Sequence, residues 1–415
     1  MGKTAIKNGR LIDGLGGQPV SDGLVVFEGN TLLYAGEAEG YTLTGDETIV
    51  DAGGGTILPG LIDAHVHVMM EFEGVQKRLE TPFSYRFYQA AQYMRKTLYA
   101  GITSVRDALG ADLGVKKAVE EGLIAGPRLQ LSINALTITG GHGDGYTTSG
   151  QTVELLQANY PGMPDGRADG VEEVRKKVRE MLRAGAEVIK VHATGGVLSP
   201  TDHPEFTQFS LEELKVIVEE ARFRKGVRVM AHAQGAEGIK QAVRAGIHSI
   251  EHGIFLDDEA IDLMKENGTF LVPTLLAPVS VLELAEESGM PDSAVEKSKE
   301  VIEIHKESVA KAHKAGVKIA MGTDAGVMPH GLNLRELELM TDVGMTPMEA
   351  IVATTKTAAE CLGWEDKVGT LEKGKLADIV IVKGNPIEDI ASLADTDTIQ
   401  YVVKDGKVEK DTLTK

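Results

Sequence analysis

The stretch Leu58-Pro-Gly-Leu-Ile-Asp-Ala-His65-Val-His67 decides how the rest of the chain is read. Its apolar and small residues suit a short buried strand, and that strand ends in two histidines spaced i, i+2. On a strand this spacing turns both imidazoles to one face. Two neutral imidazoles side by side make half of a site for a divalent cation. The reading therefore turns on which other strands end in metal-ligating side chains.

Moving outward, positions 56–365 alternate strand-like and helix-like patterns. Eight strand-like runs stand at 56–67, 102–107, 128–135, 188–192, 227–232, 249–252, 269–274 and 318–324. Helical patterns separate most of them, as at 171–184, 236–245, 258–267 and 293–315; the one at 210–224 opens with Ser210 and Glu213 in capping-box spacing. Eight β/α units fit an α/β fold of the (β/α)8 TIM-barrel type. A doubly wound open sheet would want a glycine-rich phosphate loop after an early strand, and none is present. Residues 1–55 and 366–415 read differently, as short alternating β segments between Gly, Asn and Asp turns. They are expected to assemble one small β-sandwich domain from both ends of the chain, flanking a barrel domain at 56–365.

Catalytic groups of such a barrel come from the C-terminal ends of different strands. Those ends carry His65 and His67, then Lys190, His232, His252 and Asp324. Each alone is ordinary, since strand ends often collect polar residues; six together on five strands point to a metal centre. Arg106 ends the second run and His192 lies two past Lys190. His142 sits in the flexible loop Gly140-Gly-His-Gly-Asp-Gly145, where a substrate contact is expected. His203 and His330 lie in loops that can overhang the mouth. His248, His305 and His313 fall on helical or connecting stretches and read as packing or surface residues.

Composition narrows the function classes. The 415 residues carry a net charge of −19, which disfavours nucleic acid as a partner, because phosphate contacts need clustered Lys and Arg. No apolar run is long enough to span a membrane. The first residues show neither a signal-peptide core nor a myristoylation pattern, since Ile6 stands where Ser or Thr is required. Cys361 is the single cysteine, which excludes an intrachain disulfide and suits a cytoplasmic location.

In these residues the chain resembles the amidohydrolase superfamily of metal-dependent hydrolases. The likeness rests on the 58–67 stretch, Ile189-Lys-Val-His192, Met230-Ala-His-Ala233, Ile250-Glu-His-Gly253 and Gly322-Thr-Asp-Ala325. It continues into Gly369-Thr-Leu-Glu-Lys-Gly-Lys-Leu-Ala-Asp-Ile-Val380. The resemblance implies two divalent metal ions, with His65, His67 and Asp324 holding one and His232 and His252 the other. Lys190 would bridge them as an N6-carboxylated lysine, because an ammonium cannot ligate a cation whereas a carbamate offers two oxygens. Zn²⁺ is the expected metal, with Mn²⁺, Co²⁺ and Fe²⁺ left open. It further implies attack by a metal-bridging hydroxide, Asp324 as proton shuttle and His142 as oxyanion donor.

Within the superfamily the chain is most similar to prolidase-like and Xaa-Arg/Lys dipeptidases, on the His142 loop, Gly195-Gly-Val-Leu-Ser-Pro-Thr-Asp202 and Gln208-Phe-Ser-Leu-Glu-Glu-Leu214. The implied substrate is a small molecule with an amide bond, a dipeptide (Xaa-Pro or related) or an N-acyl amino acid. Arg106, His192, Asp202 and Gln234 are the candidate substrate contacts, although Gln234 stands where some dipeptidase relatives carry tyrosine. A lactonase or a cyclic-amide hydrolase related to imidazolonepropionase is the alternative, since hydroxide attack on a carbonyl is common to all. Deamination fits less well, because deaminases of this fold generally lack the lysine bridge. A metal-free scaffold is disfavoured by the complete ligand set. By resemblance alone, a homo-oligomer is expected.

Overall fold

The computed structural model describes residues 2–71, 75–147, 149–152, 160–199, 202–285 and 292–413. Pro200 and Thr201 of the loop quoted above lie outside them. The chain is an α/β protein. Its first five strands are β1 (Lys3–Leu11), β2 (Val20–Glu28), β3 (Thr31–Glu37), β4 (Thr48–Asp51) and β5 (Thr56–Pro59). Parallel strands follow in two arcs. One holds β6 (Leu61–Val66), β7 (Ile102–Asp107) and β8 (Arg128–Leu131). The other holds β9 (Ala135–Leu136), β10 (Val188–His192), β11 (Arg228–Ala233), β12 (Ser249–His252) and β13 (Phe270–Val272), paired in that order. The last strands, β14 (Ile379–Val382), β15 (Ile399–Lys404) and β16 (Lys407–Asp411), return to the first group and complete an eight-stranded sheet in which β14 pairs with β5. No helix among the described residues is long and apolar enough to cross a membrane.

The strands of the arcs read as they must for parallel sheets covered on both faces. β6, β7 and β10 are buried at every position, which requires near-continuous apolar runs rather than alternation. Helices supply the cover. Leu211–Arg222 begins with the capping box expected from sequence, Ser210 Oγ accepting from the Glu213 N–H at 3.3 Å and Glu213 Oε2 accepting from the Ser210 N–H at 2.7 Å.

Three of the expected strands differ in detail. The run 56–67 is two strands, split at Gly60. Residues 56–59 pair with β1 and β14 in the terminal sheet, whereas 61–66 pair with β7. A side chain at Gly60 would meet Thr103 Oγ1 at 2.1 Å, so only glycine lets one extended segment pass between the two sheets. The run 128–135 is likewise broken, around Ile133 with φ 68°. The run 318–324 is not a regular strand. It lies between β13 and β6 through single parallel bridges, Leu271 to Ile319 and Val66 to Ala325. The Ala320 N–H donates to Leu271 O and the Ala64 N–H to Met321 O, each at 2.9 Å.

Arg128, at the start of β8, ties the arc to the returning strands. Its guanidinium donates to Asp378 at 2.6 Å, Asp405 at 2.5 Å and Ser104 Oγ at 2.8 Å. Asp378 is almost fully buried. Removing one partner of a buried pair leaves an uncompensated charge, at about 3–5 kcal/mol. Arg128→Met is expected to lower unfolding stability by roughly that amount, read as a fall in the urea midpoint with unchanged m; a shift below ~1 kcal/mol, the range of an exposed pair, would show that the pair does not anchor the sheet.

Candidate metal centre and active-site cavity

The ligand-type side chains converge because several strands end in backbone conformations that side chains rarely adopt. His252 closes β12 at φ 75°, Thr274 follows β13 at φ 52° and Asp324 sits at φ 62°. Such residues cost on the order of 1–3 kcal/mol each and persist only where the surroundings hold them. They turn the chain sharply at the strand ends and aim the side chains inward. Asp63 is part of what holds them. Its carboxylate accepts from the Thr323 hydroxyl at 2.6 Å, from Asn333 Nδ2 at 2.8 Å and from the N–H groups of His65 and Thr323, each at 3.1 Å. This locks the segment before Asp324 against the strand bearing His65.

His65, His67 and Asp324 present ligand atoms that all lie within 4.8 Å of one another. Their outer hydrogen bonds decide which atoms carry protons. His65 Nδ1 lies 2.8 Å from Glu251 Oε2, and His67 Nδ1 lies 3.4 Å from Leu109 O. Carboxylates and carbonyls accept, so each Nδ1 donates and each Nε2 keeps its lone pair turned inward. Asp324 Oδ1 stands 3.5 Å from His65 Nε2 and 2.9 Å from His67 Nε2, yet it is buried without an aligned hydrogen-bond donor. Converging buried lone pairs without protons between them fit a cation.

Across the cavity, His232 Nε2 donates to Gly195 O at 2.9 Å, which leaves its Nδ1 free, and His252 Nδ1 is 2.7 Å from Thr274 Oγ1. The rings of His232 and His252 are 4.6 Å apart, and His252 is 5.2 Å from His65. Burial, the largest cause in each, with Lys190 acting in the same direction, holds His65, His192, His232 and His252 well below the ordinary imidazole range, so all four are neutral. Lys190 Nζ reaches to 3.4 Å from His65 Nε2, and burial pulls its ammonium down to about 8.

The remaining sequence candidates separate. His142 lines the cavity, stacked on His232 at 4.4 Å and with Nδ1 3.6 Å from Asp202 Oδ2. Asp202 stands behind it, accepting from Gln208 Nε2 and the Gly196 N–H. His192 and Gln234 also line the cavity, and Gln234 Oε1 is buried without a partner. Arg106 is a correction. It does not line the cavity but lies beneath it, 1% exposed, with Nε donating to Ala64 O at 2.7 Å, Nη1 to Ser249 Oγ at 3.1 Å and Nη2 to Glu251 Oε1 at 2.9 Å. Its donors are spent on the framework, so it holds Glu251 rather than a substrate carboxylate.

Sequence reading missed Glu251 itself, although it immediately precedes His252. It also missed His305, which lines the cavity from the helix Asp292–Ala315 and donates from Nε2 to His252 O at 2.8 Å. Nothing in the periodicity around His305 sets it apart from a packed helix residue.

A family model described as "Amidohydrolase family" matches residues 56–408. The chain belongs to the amidohydrolase family. It is thus a hydrolase acting on C–N amide bonds, of a family that is generally metal-dependent. Ochratoxinase of Aspergillus niger is 36% identical over 98% of this chain and 86% of its own length. A solved Xaa-Pro dipeptidase with methionine bound in its active site is similar, at 38% identity, covering 98% of this chain and 99% of the other with a TM-score of 0.87. A prolidase complexed with N-methylphosphonate-L-proline is 35% identical, covering 99% of this chain and 100% of the other, with a TM-score of 0.91.

One buried carboxyl below the amidohydrolase cavity gives a pH signature. Glu336 accepts the N–H groups of Leu275 and Leu276, each at 2.8 Å, fixing the corner after Thr274, and burial raises its carboxyl to about 8. A folded-state value above the unfolded one contributes stability that is complete below the unfolded pKa and is lost as pH rises through the folded value. The stability advantage of wild type over Glu336→Gln is expected to shrink between pH 5 and pH 9, measured by chemical denaturation at each pH; a difference independent of pH would refute the assignment.

Proposed function

We propose that this amidohydrolase is a binuclear enzyme that cleaves the amide bond of a dipeptide or N-acyl amino acid. The observation that carries the reading is the convergence of the His65, His67 and Asp324 lone pairs beside Lys190 at the ends of parallel strands. In this reading the two arcs close as a (β/α)8 barrel over 56–365. Closure is supported by the 319–325 segment, which hydrogen-bonds to β13 on one side and to β6 and His67 on the other. Residues 1–55 and 366–415 form the composite β domain, an assignment supported by one apolar cluster that joins Ile6, Val25 and Phe27 to Ile379, Ile381 and Val403.

His65, His67 and Asp324 would hold one divalent ion and His232 and His252 a second, with N6-carboxylated Lys190 as a ligand between the two sets. Carbamate formation needs a neutral amine, and burial of Lys190 raises the neutral fraction above that of an exposed lysine. Divalent cations held there, with Zn²⁺ suited to this His and carboxylate set, would supply Lewis-acid chemistry for water and the scissile carbonyl. The chain's residues do the rest. Asp324 takes the proton of the attacking water and returns it to the departing amine. His142, steadied by Asp202 and by stacking on His232, donates to the developing oxyanion, a contact typically worth about 3 kcal/mol. Glu251, fixed by Arg106, keeps the His65 lone pair aimed inward.

The reading is tested by assaying the metal-loaded chain on Xaa-Pro, Xaa-Arg, Xaa-Lys and N-acyl amino acid libraries. Turnover of at least one class is expected; silence across all of them, with turnover of a lactone, would overturn it. Asp324→Asn is expected to cut kcat by about 10²–10⁴ while metal stays bound, checked by elemental analysis beside the assay; a metal-replete Asp324→Asn enzyme of normal kcat sinks the proton-shuttle role. Glu251→Gln is expected to weaken metal affinity about 10–100-fold, read by competition with a chromophoric chelator, and unchanged affinity would remove Glu251 from the ligand-orienting set.

A further inference from the structure

We infer that the cavity selects an uncharged, bulky apolar group on one side of the scissile amide, and that Lys297 is the positioning residue that holds the selecting wall; this rests on the hydrolase reading above. The cavity is lined by two kinds of side chain. One kind is the histidines with Lys190 and Asp324, which are the formally charged side chains among the described lining residues. The other is an apolar wall that includes Val197, Leu198, Ile254, Pro278, Val281 and Val327. It is packed from behind by the long helix Asp292–Ala315, with Ala294 behind Val281 and Val327 and with Val301 behind Val197 and Ile254.

A charged substrate group against that wall would lose its hydration and gain no partner. An apolar group would gain roughly 25 cal/mol for each Å² withdrawn from water. A neutral polar side chain shares this lining, since Gln234 is buried with Oε1 unpartnered and lines the same cavity. A carboxamide both donates and accepts, which matches an amide better than an ion.

Two of these wall residues, Val197 and Leu198, sit on one loop, and one cation fastens that loop. Lys297, on the long helix, donates from Nζ to Gly196 O at 3.3 Å, Ser199 O at 2.8 Å and Asp202 O at 2.7 Å. An ammonium has three protons, and all three go to carbonyls of this one loop. The same loop carries the Gly195 carbonyl that takes the His232 proton and the Asp202 carboxylate beside His142. Lys297 does not line the cavity, so it acts on the substrate through the wall.

The experiment compares kcat/KM of the metal-loaded full chain on two series. The first is N-acetyl-L-leucine, -phenylalanine, -methionine, -arginine, -lysine and -glutamate. The second is Leu-Pro, Arg-Pro and Glu-Pro. In one series, apolar members are expected to exceed charged ones by at least about tenfold, the order that a few buried carbon atoms command in a pocket. Leu198→Asp, a change at a half-buried loop position, is expected to move the preference toward Arg or Lys. Lys297→Met is expected to lower the apolar-to-charged ratio mainly through KM, and Lys297→Arg to recover part of it. Equal kcat/KM for charged and apolar members in both series overturns the selection, as does an unaltered ratio in Leu198→Asp. A Lys297→Met enzyme that slows all substrates by one common factor in kcat overturns the positioning role. Inactivity of the metal-loaded wild type on every member counts instead against the dipeptide and N-acyl amino acid reading on which this inference rests.

Discussion

Glu251 is a carboxylate with no access to water, held between a cation and an imidazole. One oxygen receives Arg106 Nη2 at 2.9 Å and Ser249 Oγ at 2.5 Å, and the other lies 2.8 Å from His65 Nδ1. The cavity above depends on this arrangement. An imidazole ligates only with an unprotonated nitrogen, and which nitrogen is free follows from what the other one touches. Glu251 therefore turns a buried charge pair into the aim of a ligand atom. Leu109 O and Gly195 O do the same for His67 and His232 at lower electrostatic cost. The ring of ligand atoms is a consequence of the hydrogen bonds outside it.

This design explains why so much polarity lies below the cavity. Asp63 joins the His65 strand to the Asp324 segment, Glu336 fixes the corner that presents Thr274 to His252, and Lys297 fastens the loop bearing Val197 and Leu198. Each spans elements distant in sequence. Each also supports a backbone turn or loop that local propensity alone would not hold, as the left-handed conformations of His252, Thr274 and Asp324 make plain.

Much of this was legible in the sequence, and the reason is periodicity. The i, i+2 histidines of 65 and 67 and the buried apolar runs ending at 192 and 252 carry their own geometry, as does the Ser210 capping box. What was not legible depends on contacts between distant segments. The break at Gly60 follows from Thr103, which occupies the place of a side chain there. The irregular 318–324 segment follows from its crowding, since a side chain at Gly322 would meet Val272 at 2.4 Å. Arg106 has the position of a substrate-binding residue at a strand end, but Glu251 and Ser249 claim it from below. His305 lies on a helix whose sequence gives no sign that one turn faces a cavity.

In the proposed reading His65, His67, Lys190, His232, His252 and Asp324 together hold two cations. The most direct measurement is elemental analysis of wild type and Lys190→Ala purified in parallel after metal and bicarbonate supplementation. Close to two equivalents of divalent metal per wild-type chain are expected, and clearly fewer in the variant. One equivalent or none in the wild type, or equal content in both proteins, would contradict the reading.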